Sequence, residues 1–516
     1  MEALPTELRG LGHPRFLSFE EKPLYKASMS FERATIRAAY VLGALLAWTR
    51  AVPAEPGAAA AAAGADPAPH PPATDVLAAA GKAFEIPFEK YTLDNGLEVI
   101  LHRDPSLPRV AVNLWYHVGP ANEPPGRSGF AHLFEHLMFE GSKYAGRQFD
   151  TLLEAAGGTN MNGTTSFDRT NYFETVPSEQ LELVLWLESD RMGFMIDTLT
   201  PERLEVQRGV VLNERRQSYE NRPYGPSELA LYDTFFPLGH PYHGNVIGSI
   251  DDLNRATMSD VQAFFDAYYA PSNATLALVG DIDPAQAKQL VERYFAPLRK
   301  RPRPERRKLV TPPRSSAERL EVVEDVSLAK VTVAWLLPPA FNPEEAALEL
   351  ASHVLGSGKA SRLYQELVVT NLATQVDAWL DDNECASILA VEAVVASGVP
   401  VERVERALEA SLARLASGGP TAAELGRAKK SIFVELSSSL QLLNSGAGEG
   451  GRAGVLQKLN HYLGDPGRLP SEMQHMAAVA EGEVQKVVQT HLAPERRLTV
   501  VTLPKPAAKG QKVGAP

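Results

Sequence analysis

The stretch that decides the reading is Ser128-Gly-Phe-Ala-His132-Leu-Phe-Glu135-His136-Leu-Met-Phe139. At about 100° per residue, Phe130, Leu133, Phe134, Leu137 and Met138 fall on one stripe of a helix. His132, Glu135 and His136 fall together on the opposite side. One face is therefore fit for a core, and the other presents two imidazoles and a carboxylate. The i,i+4 spacing sets one His above the other, which suits a single Zn²⁺. Glu135 sits beside them, placed to take a proton from water at the metal. The order His-x-x-Glu-His is the inverse of the commoner His-Glu-x-x-His zinc-protease order. Ser128 is the expected N-cap. The plainer reading is a surface helix with two solvated His and an ordinary Glu. The shared polar face and the complete apolar stripe count against it.

A catalytic zinc site needs a third protein ligand and an open position. The best source is Thr200-Pro-Glu-Arg-Leu-Glu-Val-Gln-Arg-Gly-Val-Val-Leu-Asn-Glu214, a helix with Thr200 as N-cap and Pro201 at its first position. Glu205, Glu214 and Glu220 are all candidates, and spacing alone does not choose among them.

Composition narrows the classes of function. The chain has 516 residues, enough for about three domains, with two or four also in range. Lys and Arg number 51 against 63 Asp and Glu, a net charge of −12, which argues against a nucleic-acid partner. The single cysteine, Cys385, rules out an intrachain disulfide and a cysteine-based zinc cage. Any metal falls to His, Asp or Glu.

No apolar run reaches the ~18–20 residues of a membrane span. From Met29, however, Arg33 and Arg37 precede an apolar Ala38–Trp48 stretch and an Ala-Val-Pro-Ala sequence ending at Ala54. This is the pattern of a secretory signal peptide, and Met29 is the expected start. The expectation is export to a bacterial periplasm. Residues 55–83 are Ala/Pro-rich and read as a linker.

Strand and helix patterns then alternate from Phe84. Lys90 to Leu101 is a hairpin about Asn95-Gly96, Val110 to Val118 a strand, and Ser178–Phe194 and Thr200–Glu220 are helices. Residues 299–316 are basic and Pro-rich, a second linker. A similar order follows, with strands at Lys330–Leu337 and Ala386–Val395, helices between and after them, and a closing strand at Arg497–Leu503. The economical fold is α+β: two homologous α/β-sandwich domains, each a mixed, mostly antiparallel sheet covered by helices. Their expected bounds are 84–298 and 317–505, with an extension and signal peptide over 1–54 and a tail over 506–516.

Gly129 to Gly141 (GFAHLFEHLMFEG) resembles the active-site helix of the pitrilysin/insulinase metallopeptidases. Further matches are Gly157 to Tyr172 (GGTNMNGTTSFDRTNY), His240 to Gly248, Tyr269 to Leu276 with Val279-Gly-Asp-Ile, and Gly356 to Glu366. They cover about 84–505 in the family's order. The resemblance implies half of a clamshell, with one Zn²⁺ held by His132, His136 and Glu214. Glu214 lies 78 residues after His136, at the family's distal-ligand position. Glu135 would be the general base. A peptide substrate would add as a strand along Asn162, Gly163, Thr164 and Thr165, with Asn162 on its backbone.

Two departures from the family pattern matter. The carboxylate that often lies seven residues before the distal ligand is Gln207 here. The family also completes its site with an Arg and a Tyr from a second-half domain. This chain reads Val368-Val-Thr-Asn-Leu-Ala-Thr374 where they belong, and Arg362 and Tyr364 are better read as helix packing. The second half has only His353 in place of the zinc motif. The expected enzyme is therefore the zinc-bearing, catalytic subunit of a heterodimer, completed by a silent paralogue that supplies Arg and Tyr. The competing class is a non-catalytic structural or interaction subunit of such a complex. The intact set His132, Glu135, His136 and Glu214 argues against it.

Overall fold

A computed structural model describes Lys82 and residues 84–506, apart from residues 307, 308, 310 and 447. The expected signal peptide lies outside the described residues, as does all of the Ala/Pro-rich linker except Lys82. The first sheet has six strands: β1 (Glu89–Thr92), β2 (Glu98–Arg103), β3 (Arg109–Tyr116), β4 (Thr159–Thr165), β5 (Thr170–Pro177) and β6 (Ala274–Gly280). Their spatial order is β1-β2-β6-β3-β5-β4, and only β2 and β6 run parallel. The second sheet contains β7 (Glu318–Glu324), β8 (Lys330–Leu337), β9 (Ala373–Asp381), β10 (Ser387–Val395) and β11 (Leu498–Pro504). Its order is β7-β11-β8-β10-β9, with β7 and β11 the parallel pair.

Without β1, the first order maps onto the second strand for strand. The duplication suggested by the alternating pattern is thus present in the pairing itself. The helices follow suit. In the first half, α1 (Phe130–Leu137) follows β3, and α2 (Leu181–Phe194) and α3 (Pro201–Arg215) follow β5. After α4 (Gly225–Phe235), the second half repeats the arrangement with α5 (Glu345–Gly356), α6 (Val401–Gly418) and α7 (Ala422–Ser439), then adds α8 (Gly451–Leu463).

Each sheet packs one face against helices of its own half. In the first, Val110, Val112 and Leu114 meet Phe130, Leu133, Phe134 and Leu137 of α1. In the second, Val331, Val333 and Trp335 meet Leu348, Ala351 and Leu355 of α5. The remaining face is covered by a helix of the other half. Ala453 and Leu456 of α8 lie on Ile100, Ala111, Ala277 and Val279 of the first sheet. Leu231 and Phe235 of α4 join Ala334, Leu336, Ile388, Leu498 and Val500 of the second. This exchange buries both faces of β3, where seven of eight residues are buried, and removes the alternation a one-sided strand would show.

Candidate metal and catalytic centre

The apolar stripe of α1 anchors the site. Phe130, Leu133, Phe134 and Leu137 are at most 1% exposed, which fixes the roll of the helix. Ser128 does not cap it. The N-cap is Gly129, at φ 86°. The free amides of Gly129 and Ala131 donate instead to the two oxygens of Glu123, at 2.9 and 2.8 Å. Ser128 turns away and donates through Oγ to Asp252, 2.7 Å distant. The cap is a carboxyl group from the preceding turn, which satisfies two orphan amides. Burial pushes Glu123 up to about 8 against the pull of those amides.

On the polar face, Nε2 of His132 lies 3.7 Å from Glu214 Oε1, and Nε2 of His136 lies 3.2 Å from Glu214 Oε2. Candidate ligand atoms of the three residues all lie within 4.8 Å of one another. Donors on a tetrahedral zinc ion at ~2.0–2.2 Å would stand about 3.3–3.6 Å apart. His136 Nε2 is buried and makes no hydrogen bond despite facing the carboxylate. An orphaned imidazole nitrogen beside a carboxylate at this spacing fits a His₂Glu zinc site. Among the described residues this is the one such group of three. Burial works to lower the His136 imidazole, but Glu214 and Glu135 outweigh it and hold it above its ordinary value. Burial raises Glu214, and the two imidazoles more than reverse this, leaving it below its ordinary value.

The other two candidate carboxylates turn elsewhere. Glu205 pairs with Arg208 at 3.2 Å, and Glu220 with Arg215 at 3.2 Å. Thr200 caps α3 as expected, accepting from Arg203 N at 3.3 Å. Gln207 donates to Glu140, 2.5 Å away, so a carboxylate is present on that side although position 207 is neutral.

Glu135 is 3% exposed and accepts from Thr165 Oγ1 at 2.6 Å. Thr165 lies on β4, which borders the sheet and pairs only with β5. Gly163 lies on the same face. A Cβ there would sit 3.0 Å from Glu135 Cγ, 3.1 Å from Phe139 and 3.2 Å from Tyr172. Asn162 accepts from Gly163 N at 3.0 Å, and Thr164 Oγ1 donates to Asn171, 2.5 Å away on the opposite face. Of the four edge-strand residues, the structure therefore brings Gly163 and Thr165 against Glu135. An irregularity between Thr159 and Asn162 re-aims the strand at this point. Sequence reasoning missed Glu123 and Arg169. The Arg169 guanidinium donates to Thr164 O at 2.8 Å and is ion-paired with Glu449.

Residues 368–374 form the turn into β9 and its first residues. Arg362 is held in a fork by Glu424, at 2.7 and 2.9 Å.

Residues 98–237 match the family model described as Insulinase (Peptidase family M16), and residues 255–432 match the one described as Peptidase M16 inactive domain. The zinc protease PqqE of Helicobacter pylori is 31% identical over 369 residues, 70% of this chain and 82% of that one. The chain belongs to the M16, or pitrilysin/insulinase, peptidase family. A solved Helicobacter pylori protease shares 28% identity at a TM-score of 0.74, covering 81% of this chain and all of that one. The Escherichia coli periplasmic protease PqqL, at 20% identity and a TM-score of 0.67, shares the fold. That match covers 81% of this M16 chain but only 48% of PqqL. Among the described residues, no helix is long and apolar enough to cross a membrane.

Proposed function

We propose that this M16 chain is a zinc-dependent endopeptidase acting on peptides or unfolded segments. The observation that carries the reading is the convergence of His132, His136 and Glu214 beside a buried Glu135. His132 and His136 through imidazole nitrogens, and Glu214 through its carboxylate, would hold one Zn²⁺. When bound, the ion supplies Lewis-acid polarisation of the scissile carbonyl. Glu135 is the general base. Its Oε2 is engaged by Thr165, which leaves Oε1 to accept the proton of the attacking water and pass it to the departing amine. A substrate peptide adds as a strand outside β4, with Asn162 on its backbone.

The domain reading is 84–298 for the zinc-binding peptidase domain and 317–505 for its non-catalytic companion, joined by 299–316. A closed chamber of four such domains needs a second chain, and the 48% coverage of PqqL supports a unit built from paired halves. The partner is a paralogue that contributes the Arg and Tyr absent from 368–374. Arg362, pinned to Glu424, is not free to replace them. The signal pattern at Met29 supports export to the periplasm.

The test is hydrolysis of a quenched peptide library with zinc present, by the chain alone and mixed with its paralogue, with Glu135→Gln as control. Activity that appears on mixing and vanishes in the control is the expected result. Activity of the chain alone would remove the need for the Arg/Tyr pair. The missing pair favours a second reading, a non-catalytic subunit. Bound zinc without hydrolysis in either mixture, after the range of substrates had been widened, would support that reading.

A further inference from the structure

The second half of the chain reaches the proposed active site from behind. Arg169 is 2% exposed. Its Nη1, with two hydrogens to donate, lies within hydrogen-bond distance of Thr164 O at 2.8 Å, Thr164 Oγ1 at 2.5 Å and Asn171 Oδ1 at 2.6 Å. Its plane lies over Trp115, 5.1 Å from the ring centre. Its Nη2 pairs with Glu449, from the loop between α7 and α8. A buried guanidinium is costly unless paired and hydrogen-bonded, so these contacts are held together as a unit.

The loop that brings Glu449 is itself seated on the sheet. Gly448, at φ 68°, lies so close that a Cβ would stand 2.2 Å from Asn171 Nδ2 and 2.5 Å from Phe173. Its carbonyl accepts from Asn113 at 2.8 Å and from Asn171 at 3.3 Å. Gln457 of α8 donates to Asn113 O at 2.7 Å and to Thr275 O at 2.8 Å. Among the described residues no strand pairs with the outer side of β4, which leaves it an edge strand held from one side. Its residue Thr165 fixes one oxygen of Glu135.

We propose that Arg169 and Glu449 form a clamp through which the second half positions strand β4 and, through Thr165, the carboxylate of Glu135. They are positioning residues, and the activity arm of the test rests on the peptidase reading. The clamp gives the half that lacks the zinc motif a defined task at the catalytic centre.

The experiment uses the full chain with zinc and, if needed for activity, its partner. Glu449→Ala should speed amide hydrogen exchange across 159–165 by on the order of 10-fold, with exchange in α1 unchanged. Thr165→Val should lower kcat on the order of 10-fold with KM within about twofold and zinc content intact. Thr165→Ser should restore most of the loss. Wild-type exchange over 159–165 in Glu449→Ala would overturn the clamp, as would an undiminished kcat in Thr165→Val. If the wild-type chain cleaves nothing either alone or with its partner, the peptidase reading falls and the exchange measurement alone decides the clamp.

Discussion

Gly163→Ala is the sharpest probe of the site. The added methyl would stand 3.0 Å from Glu135 Cγ, 3.1 Å from the Phe139 ring and 3.2 Å from the Tyr172 ring. Carbon atoms in optimal contact lie about 3.5–4.0 Å apart. All three neighbours must therefore retreat by several tenths of an ångström. The rings have little room, because Phe139 packs on Phe149 and Tyr172, with ring centres 6.1 and 5.8 Å away. Glu135 can yield only by shifting a carboxylate tied to Thr165 at 2.6 Å. Overpacking of this kind costs about 1–3 kcal/mol. At the low end, 1 kcal/mol lowers Tm by roughly 2–4 °C for a unit of about 200 residues. A shift of the base by a fraction of an ångström to 1 Å should lower kcat by about 10- to 100-fold. The proposed ligands His132, His136 and Glu214 are not among the three atoms nearest the methyl, so zinc content should hold. The assays are calorimetry, metal analysis and peptide hydrolysis. Wild-type Tm and wild-type kcat together would refute the claim that β4 presses on Glu135, the proposed general base.

Other expectations follow from single contacts. Glu214→Gln should lower the bound zinc well below one ion per chain while circular dichroism stays native, because a neutral amide replaces the carboxylate facing both imidazoles. Arg191→Met should destabilise by about 3–5 kcal/mol in denaturant unfolding. Arg191 is 1% exposed, hydrogen-bonded to Glu188 at 2.8 Å and stacked on Phe149 and Tyr172, so its loss strands a buried carboxylate. Arg362 holds Glu424 down to about 2. A depressed carboxylate stabilises above its unfolded value, so this contribution is complete above about pH 4.5 and is lost as pH falls toward 2. Solvent screening limits it to about 1 kcal/mol. Arg362→Leu should flatten the acid limb of the stability curve between those values.

The zinc helix was legible because both of its faces obey one period. The stripe from Phe130 to Met138 and the set His132, Glu135 and His136 are local properties of a single helix. The cap was not legible, because Glu123 reaches α1 from a turn at no fixed spacing and displaces Ser128, which spends its hydroxyl on Asp252. Spacing left Glu205, Glu214 and Glu220 equivalent. The fold separates them by angle: Arg208 and Arg215 take two, and the third faces the imidazoles. The exchange of covers between the halves was also unreadable, since no local pattern in α4 or α8 says which sheet each one covers. The clamp of Arg169 and Glu449 joins residues 280 apart, beyond any local pattern.

The strand order has a consequence for how the chain matures. In each half the last strand inserts between two earlier ones, β6 between β2 and β3, and β11 between β7 and β8. Emerging amino-terminus first, the first sheet cannot close until Gly280 has appeared. Glu449 follows only about 170 residues later. Until that loop is in place, the first half holds His132, His136 and Glu214 on helices packed against its sheet, while β4 lacks the contact from Glu449. On the proposed clamp, the half with the His and Glu set is made before the loop that would steady its edge strand.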